Sequence, residues 1–260
     1  WESPVYYNLS PMVYESATST QTDNANVRPG ESDIMVIGMQ IQTDGSVDPL
    51  SLSEIAISME GTTNITDVSS IKVYTTGFNP YFDTSSQYGT TTTPTSGTIA
   101  FTETIDLLPG TNNFWLTYTL SDNATIENQI DAEFVSIVIG GETLTPTITN
   151  PGDGRLIIGD PEIQISNASM DFGDVMEGTS SAIQTYTVEG TYLNGVISVA
   201  APTGFKVSKN AESGYTNFLS INDDNGSIDQ TIYVKFMPTD IREYSGNVNH
   251  TSSGATITRM

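Results

Sequence analysis

The side chains in this sequence that could do chemistry are mostly carboxylates. The chain has 31 aspartates and glutamates, one histidine and no cysteine. A hydrolase with an activated nucleophile needs a serine or a cysteine beside a histidine. His250 is the only histidine, and no Gly-x-Ser-x-Gly turn is available to present a serine. We therefore expect His250 to be an ordinary surface residue, and we predict no nucleophilic triad.

Pairs of carboxylates are a second route to catalysis, because two acids on either side of a glycosidic bond can hydrolyse it. Nothing in the sequence sets one pair of acids apart from the many others. We therefore predict that this chain is not an enzyme.

Calcium is the metal that an oxygen-rich run would favour, and residues 222–229 form such a run. The EF-hand pattern fails there, since Ile221 stands where the first aspartate is needed and Ile232 where the closing glutamate is needed. Asp224-Asn225-Gly226 instead predicts a tight hairpin turn, because Asn-Gly tolerates positive backbone φ angles. We predict no cofactor, with calcium at this run as the alternative.

Aromatic side chains could bind sugars in and after a strand predicted at residues 71–75. Rings in a half-buried loop either stack on a sugar or pack against their own domain, and both interpretations remain open here. The candidate glycan platform consists of Tyr74, Phe78, Tyr81 and Phe82, with Tyr88 close by in the sequence.

The first eleven residues are extended and aromatic in character, because Pro4 and Pro11 disfavour a helix. An extended apolar terminus can add a strand to an exposed sheet edge, or it can be the end of a preceding module. Both remain open, and the first would make neighbouring modules or further copies of the chain the partners. The candidate strand-donor residues are Trp1, Val5, Tyr6, Tyr7 and Leu9.

The elements that must position these residues are strands. Short runs rich in β-branched and aromatic residues alternate with turn formers about every ten residues, and no long helical periodicity occurs. Residues 113–120 predict a core strand, with Phe114, Leu116, Tyr118 and Leu120 on one face and Trp115, Thr117 and Thr119 on the other. Residues 107–112, with Pro109 and Gly110, predict the turn before it.

The pattern predicts an all-β chain of two consecutive β-sandwiches, immunoglobulin-like or jelly-roll-like. Residues 1–11 form the extended segment, 12–149 the first sandwich, 150–161 a turn-rich linker and 162–260 the second sandwich, whose last strand is cut or completed from elsewhere. The low-complexity stretch 89–97 is expected to be exposed.

Charge and composition exclude several partners. A net charge of −23 repels a phosphate backbone, and eight scattered bases form no patch for nucleic acid or anionic lipid. No apolar run approaches the ~20 residues that span a bilayer, so no membrane insertion is predicted. A cysteine-free chain rich in Thr, Ser and Asn but poor in lysine fits an extracellular or cell-surface location.

Several short motifs resemble known families. Residues 16–21, 73–77 and 109–116, together with Phe82 and Gly89, resemble the N-terminal β-sandwich module associated with sialidase-type (BNR) repeat proteins of Bacteroidetes. Residues 170–175, 186–190, 234–238 and 244–246 resemble the immunoglobulin-like modules of bacterial surface proteins. The resemblance implies a secreted or surface protein exported by the type IX route. It does not imply sialidase activity, because the chain has no Asp-box repeats and no arginine cluster.

We therefore predict a non-catalytic structural or adhesive segment of a secreted or cell-surface bacterial protein, such as a spacer, a stalk or a filament subunit assembled by strand donation. The alternative is a carbohydrate-binding accessory module of a secreted glycosidase, which would bind glycans.

Overall fold

A computed structural model describes residues 9–152, 154–167, 169–222, 224–255 and 258–259. The chain divides into two compact units, Trp1–Ile158 and Gly159–Met260. Within the described residues the regular elements are strands, apart from one short 3-10 turn at Ile65–Asp67 that Asn64 caps. The all-β prediction is confirmed.

The strands of the first unit are numbered along the chain. They are β1 (Val13–Thr20), β2 (Ile34–Asp44), β3 (Ser51–Ser58), β4 (Val68–Gly77), β5 (Gln87–Thr92), β6 (Thr98–Asp106), β7 (Gly110–Leu120), β8 (Gln129–Ile130), β9 (Glu133–Ile139), β10 (Glu142–Leu144) and β11 (Arg155–Leu156).

Those of the second unit are β12 (Glu162–Ile165), β13 (Gln184–Thr191), β14 (Ile197–Ala200), β15 (Phe205–Ser208), β16 (Phe218–Ile221), β17 (Ile228–Phe236), β18 (Asn249–Thr251) and β19 (Thr258–Arg259).

The first unit is built on a five-stranded antiparallel sheet in the order β1-β2-β7-β4-β5 and a four-stranded sheet in the order β10-β9-β3-β6. β7 lies at the centre of the larger sheet, because it pairs with β2 on one side and β4 on the other. One apolar core gathers the inward faces of both sheets. The predicted core face of β7 is confirmed, since all four of its members are buried: Phe114, Leu116, Tyr118 and Leu120.

β5 covers part of the low-complexity stretch 89–97. None of the residues 89–97 is buried, as predicted, and residues 89–92 belong to β5, which pairs with β4. Tyr88 anchors this strand, because its ring is buried and its hydroxyl donates to the Glu103 carbonyl at 2.7 Å. A threonine repeat beside such an anchor is β-branched and extends the strand.

Residues 155–158 of the predicted linker belong to the first unit. β11 pairs with β8, and Ile157 is fully buried in the first core. Arg155 is only 7% exposed, and its guanidinium donates to the carbonyls of Ala25 at 2.8 Å and Met35 at 2.7 Å. The pairing of β11 with β8 thus follows the turn formers at 150–154 in the sequence, and the two units divide after Ile158.

The second unit has two four-stranded sheets, in the orders β12-β13-β17-β15 and β16-β14-β18-β19. The expectation that His250 lies at the surface is wrong. Its ring is fully buried, and its Nε2 lies 2.7 Å from the Tyr186 hydroxyl. β18 causes this placement, because its pairing with β14 turns His250 inward. β18 begins only at Asn249, and residues 243–248 before it are irregular.

The predicted turn at Asp224-Asn225-Gly226 is confirmed. Asn225 and Gly226 have φ angles of 52° and 81°, and Asp224 and Ser227 exchange two backbone hydrogen bonds of 2.9 and 3.1 Å. The flanking strands do not form a hairpin, however. β16 pairs with β14 and β17 pairs with β13 and β15, so the turn carries the chain from one sheet to the other.

The candidate strand donor lies mostly outside the described residues, which begin at Leu9. Trp1, Val5, Tyr6 and Tyr7 are therefore not placed. Leu9 is exposed, and Ser10 accepts backbone hydrogen bonds from Ser46 and Val47 at 3.0 and 3.1 Å.

Candidate functional site

The outer face of the five-stranded sheet carries a small apolar cluster of Met35, Tyr74, Trp115 and Phe82, which we call the outer-face cluster. Side chains alternate along β7, so Trp115 lies on the side opposite the core residues. Tyr74 on β4 pairs directly with Trp115 in the register, and Met35 lies on the neighbouring β2. The cluster therefore forms where three strands run side by side.

Gly38 is what allows Trp115 to lie flat against this face. Gly38 pairs with Trp115 across β2 and β7, and a Cβ atom at Gly38 would come within 2.8 Å of the indole Cζ3. On the other side, the indole Nε1 donates to the Thr76 hydroxyl at 2.8 Å. The indole is thus held from both neighbouring strands.

Phe82 anchors the loop after β4 to the cluster. Its ring centroid lies 6.1 Å from Tyr74 in an edge-to-face arrangement and 6.1 Å from Trp115 in a tilted one. Aromatic pairs of this geometry stabilise by about 0.5–1.5 kcal/mol beyond their buried area. Phe82 therefore serves to hold the loop in place.

The polar groups beside the cluster are bound to each other. Asp33 Oδ1 lies 2.8 Å from Lys72 Nζ and accepts a hydrogen bond from the Tyr74 hydroxyl at 2.9 Å. The hydrogen bond to Asp33 raises the pKa of Lys72. Burial, with a further contribution from Asp33, raises the pKa of Tyr74. Lys72 is thus a paired cation, and its charge is largely balanced by Asp33.

The candidate glycan platform is split by the fold. Tyr74 is buried and Phe82 is half-buried in the outer-face cluster, while Tyr88 lies in the core. Phe78 and Tyr81 are 58% and 75% exposed. The four rings are not offered together to one ligand, because Tyr74 and Phe82 pack against each other and Phe82 packs against Trp115 on the outer face. Phe78 and Tyr81 are the rings that a sugar could reach.

Phe78 lines an open groove of about 560 Å³, which we call the Phe78 groove. Its apolar lining also includes Leu108 and Pro109. Its polar lining comes from two other segments and consists of Glu15, Gln42, Thr43, Asp44 and Ser46. An exposed ring beside carboxylate, amide and hydroxyl groups is the combination that binds sugar rings, by stacking and by hydrogen bonds to hydroxyls.

The turn predicted at 107–112 forms one wall of this groove, and Asn112 holds its shape. The Asn112 side chain accepts from Leu108 N at 2.8 Å and donates to the Leu108 carbonyl at 2.8 Å. The Thr43 hydroxyl donates to the same carbonyl at 2.8 Å. Leu108 and Asp44 are not singled out by any sequence motif, and only the turn signal at Pro109-Gly110 points to this wall.

Two buried aspartates of the first unit are engaged by their own loops. Asp67 accepts from Thr125 N at 2.9 Å and from the Asn128 side-chain amide at 2.7 Å. Asp131 accepts from Ala132 N at 2.8 Å and from the Asn150 side-chain amide at 3.2 Å. Each of these carboxylates accepts hydrogen bonds from backbone and side-chain amides of the surrounding loops, and these bonds hold the loops in place.

The described residues contain no group of three or more His, Cys, Asp or Glu side chains arranged to hold a metal ion. In the run proposed for calcium, Asp223 lies outside the described residues, and the backbone of Asp224 forms the turn to Ser227. Within the described part of the chain, no helix has both the length and the apolar character that a membrane crossing requires.

The first unit is similar to a known family of domains. Residues 18–143 match the family model described as the N-terminal domain of BNR-repeat neuraminidase. The resemblance of the first sandwich to this sialidase-associated module is confirmed. No curated protein matches the chain.

Two solved structures are similar at low identity. The Hadza microbial sialidase Hz136 has a TM-score of 0.45 and 10% identity, and the alignment covers 76% of this chain and 58% of that one. This chain therefore spans little more than half the length of that sialidase. The CupB6 tip adhesin from Pseudomonas aeruginosa has a TM-score of 0.27 and 8% identity, with 95% of this chain and 93% of that one covered.

Proposed function

We propose that this chain is a non-catalytic segment of an extracellular protein, in which two β-sandwich units act as an accessory spacer beside other modules. The observation that carries the proposal is that buried polar side chains are used to hold the fold. Asp67 and Asp131 brace loops, Arg155 ties backbone carbonyls together, and His250 lies against Tyr186 in a core.

The family match supports this proposal. Its printed description is that of an N-terminal domain, and residues 18–143 cover the body of the first unit. An N-terminal module of a neuraminidase stands beside the catalytic domain, so a supporting role for the first unit follows by analogy. An extracellular location follows from the same analogy.

Enzyme assays test the spacer proposal directly. The purified chain is incubated with sialosides, with other aryl glycosides, and with ester and peptide substrates. We expect rates indistinguishable from those of buffer. Turnover at an enzyme-like rate, about 1 per second or faster, would overturn the proposal, provided that it is lost when the protein is heat-denatured.

Glycan binding at the Phe78 groove is a second candidate function, which the exposure of Phe78 in that groove favours, and Tyr81 is a second exposed ring on the same loop. A glycan array is probed with the wild-type chain and with the Phe78→Ala and Tyr81→Ala variants. Phe218→Ala is the matched control, because Phe218 is a similarly exposed ring in the other unit.

For glycan binding we expect a signal from the wild type and the control that falls about two- to tenfold in Phe78→Ala, since one stacked ring contributes about 0.5–1.5 kcal/mol. No signal from any of these proteins, or the same signal from all of them, counts against a glycan site at this groove.

A further inference from the structure

The second unit carries an open groove of about 1060 Å³, which we call the acidic groove. Two irregular segments, 171–177 and 238–245, form its walls. The sequence comparison does not reach this region, because the family match ends at residue 143.

The rings of Phe236 and Tyr244 line the acidic groove, and we call them its aromatic floor. Phe236 stacks on Phe205 with ring centroids 4.9 Å apart, and Tyr244 meets Phe236 edge-on at 5.2 Å. Rings packed in this way are rigid and apolar, so the floor presents a stable surface to a ligand.

Each wall places an exposed aliphatic side chain in the groove. Met176 is 77% exposed on one wall, and Ile241 is 93% exposed on the other. A single exposed apolar residue is ordinary, but exposed apolar side chains on both walls of one polar-rimmed groove are typical of interaction surfaces.

The rim is strongly acidic. Five carboxylates line the groove against one guanidinium, that of Arg242. Arg242 lies over the Tyr244 ring at 4.4 Å and is 4.0 Å from Asp240 Oδ2, so its charge is partly balanced within the wall. The carboxylates belong to Asp171, Asp174, Glu177, Asp240 and Glu243.

Hydrogen bonds hold the walls in position. The Tyr244 hydroxyl accepts from Thr239 N at 3.1 Å and from Asp240 N at 3.0 Å. Gly178 N donates to the Pro238 carbonyl at 3.0 Å, which links one wall to the other. A groove that is already shaped loses less conformational entropy when a ligand binds.

We propose that the acidic groove is a docking site for a basic segment of a partner protein, in which lysine or arginine residues alternate with aliphatic ones. The cationic side chains meet the rim carboxylates, and the aliphatic ones contact Met176, Ile241 and the aromatic floor. Charge complementarity selects this occupant. A second copy of the chain is a poor occupant, because its net charge is −23 and its eight bases are scattered.

The test uses the full chain and a fluorescently labelled synthetic peptide of alternating lysine and leucine, with binding followed by fluorescence polarisation. A peptide of alternating glutamate and leucine is the probe control. We expect the basic peptide to bind and the acidic one not to bind. Binding should weaken as salt rises from 0.05 to 0.5 M, because the rim carboxylates are exposed and salt screens them.

Two triple variants of equal net charge distinguish binding at the acidic groove from attraction by the overall negative charge of the chain. Asp174→Asn/Glu177→Gln/Glu243→Gln removes three of the five rim carboxylates, and Glu60→Gln/Glu142→Gln/Glu212→Gln removes the same charge at exposed positions elsewhere. We expect the rim variant to lose at least tenfold in affinity and the control to lose less than threefold. Equal losses in the two variants would overturn the proposal, because they would mean that only overall charge matters.

Ile241→Ser and Met176→Ser test the aliphatic contacts. Both side chains are exposed, so the melting temperature should be unchanged, and each variant should weaken peptide binding at least threefold at 0.5 M salt. Unchanged binding in both variants, equal binding of the acidic peptide, or no binding of the basic peptide at any salt concentration would each refute the docking site.

Discussion

Trp115 and Gly38 face each other across β7 and β2, and the indole occupies the space that a side chain at position 38 would need. Gly38→Ala therefore forces the ring or the strand to move, and we expect it to lower the free energy of unfolding of the first unit by about 1–3 kcal/mol. Urea unfolding followed by Trp115 fluorescence measures this change.

A double-mutant cycle isolates the contact between these two residues. In a Trp115→Leu background, followed by circular dichroism, the substitution at Gly38 should cost well under half as much. Equal costs in both backgrounds would show that the clash with the indole isn't the cause.

Arg155 is predicted to be essential to the first unit. Arg155→Met keeps the length of the side chain but leaves the carbonyls of Ala25 and Met35 without this donor, and we expect a loss of about 2–4 kcal/mol in the free energy of unfolding. Arg242→Met, an exposed arginine of the second unit, is the control and should leave the first transition unchanged. A wild-type transition in Arg155→Met would mean that the hydrogen bonds of Arg155 do not stabilise the first unit.

The contact between Tyr186 and His250 should stabilise the second unit. Tyr186→Phe removes the hydroxyl that lies 2.7 Å from the His250 Nε2, and we expect a loss of about 1–2 kcal/mol that is confined to the second unit. Calorimetry that resolves the two units would show this as a downward shift of one transition. A shift of the first unit's transition instead would contradict the assignment.

Alkaline pH should weaken the first unit through Tyr88. Burial raises the pKa of Tyr88 to about 12 from its ordinary value near 10. The folded state therefore holds a proton that the unfolded state releases. Its contribution to stability is fully present below about pH 10 and is lost as the pH rises towards 12.

Urea midpoints measured between pH 9 and 12 test this pH dependence. Tyr88→Phe should show a shallower decline than the wild type, whereas Tyr81→Phe, which changes an exposed ring, should follow the wild type. Parallel declines for wild type and Tyr88→Phe would exclude Tyr88 as a source of the alkaline sensitivity.

Strand donation by the first residues remains a proposal that a short deletion tests. Removal of residues 1–8 keeps Ser10, which accepts hydrogen bonds from Ser46 and Val47, so the first unit should fold as before. If copies assemble through this segment, the full chain will form concentration-dependent oligomers in analytical ultracentrifugation and the shortened chain will not. Identical monomeric profiles for both would reject strand donation.

Local features of the sequence determined the class of the fold and several of its parts. The alternation of residues 114–120 is sufficient to predict a core strand, because side chains of a strand point to opposite faces in turn. Asn225 and Gly226 are sufficient to predict the turn, because few residues adopt positive φ angles without strain. These signals depend only on neighbouring residues, so no knowledge of the fold is needed to interpret them.

Only the tertiary structure decided which strands pair and which side chains are enclosed. The Asn225-Gly226 turn connects strands of different sheets. The strand before the turn, β16, pairs with β14, and the strand after it, β17, pairs with β13. His250 and Arg155 are buried through contacts with Tyr186 and Met35, which are distant in the sequence. Phe82 is half-buried because it packs against Trp115, which lies on another strand, whereas Phe78 in the same loop stays exposed. Contacts between residues that are distant in the sequence decide which side chains are buried. The pattern of a single segment cannot predict such contacts.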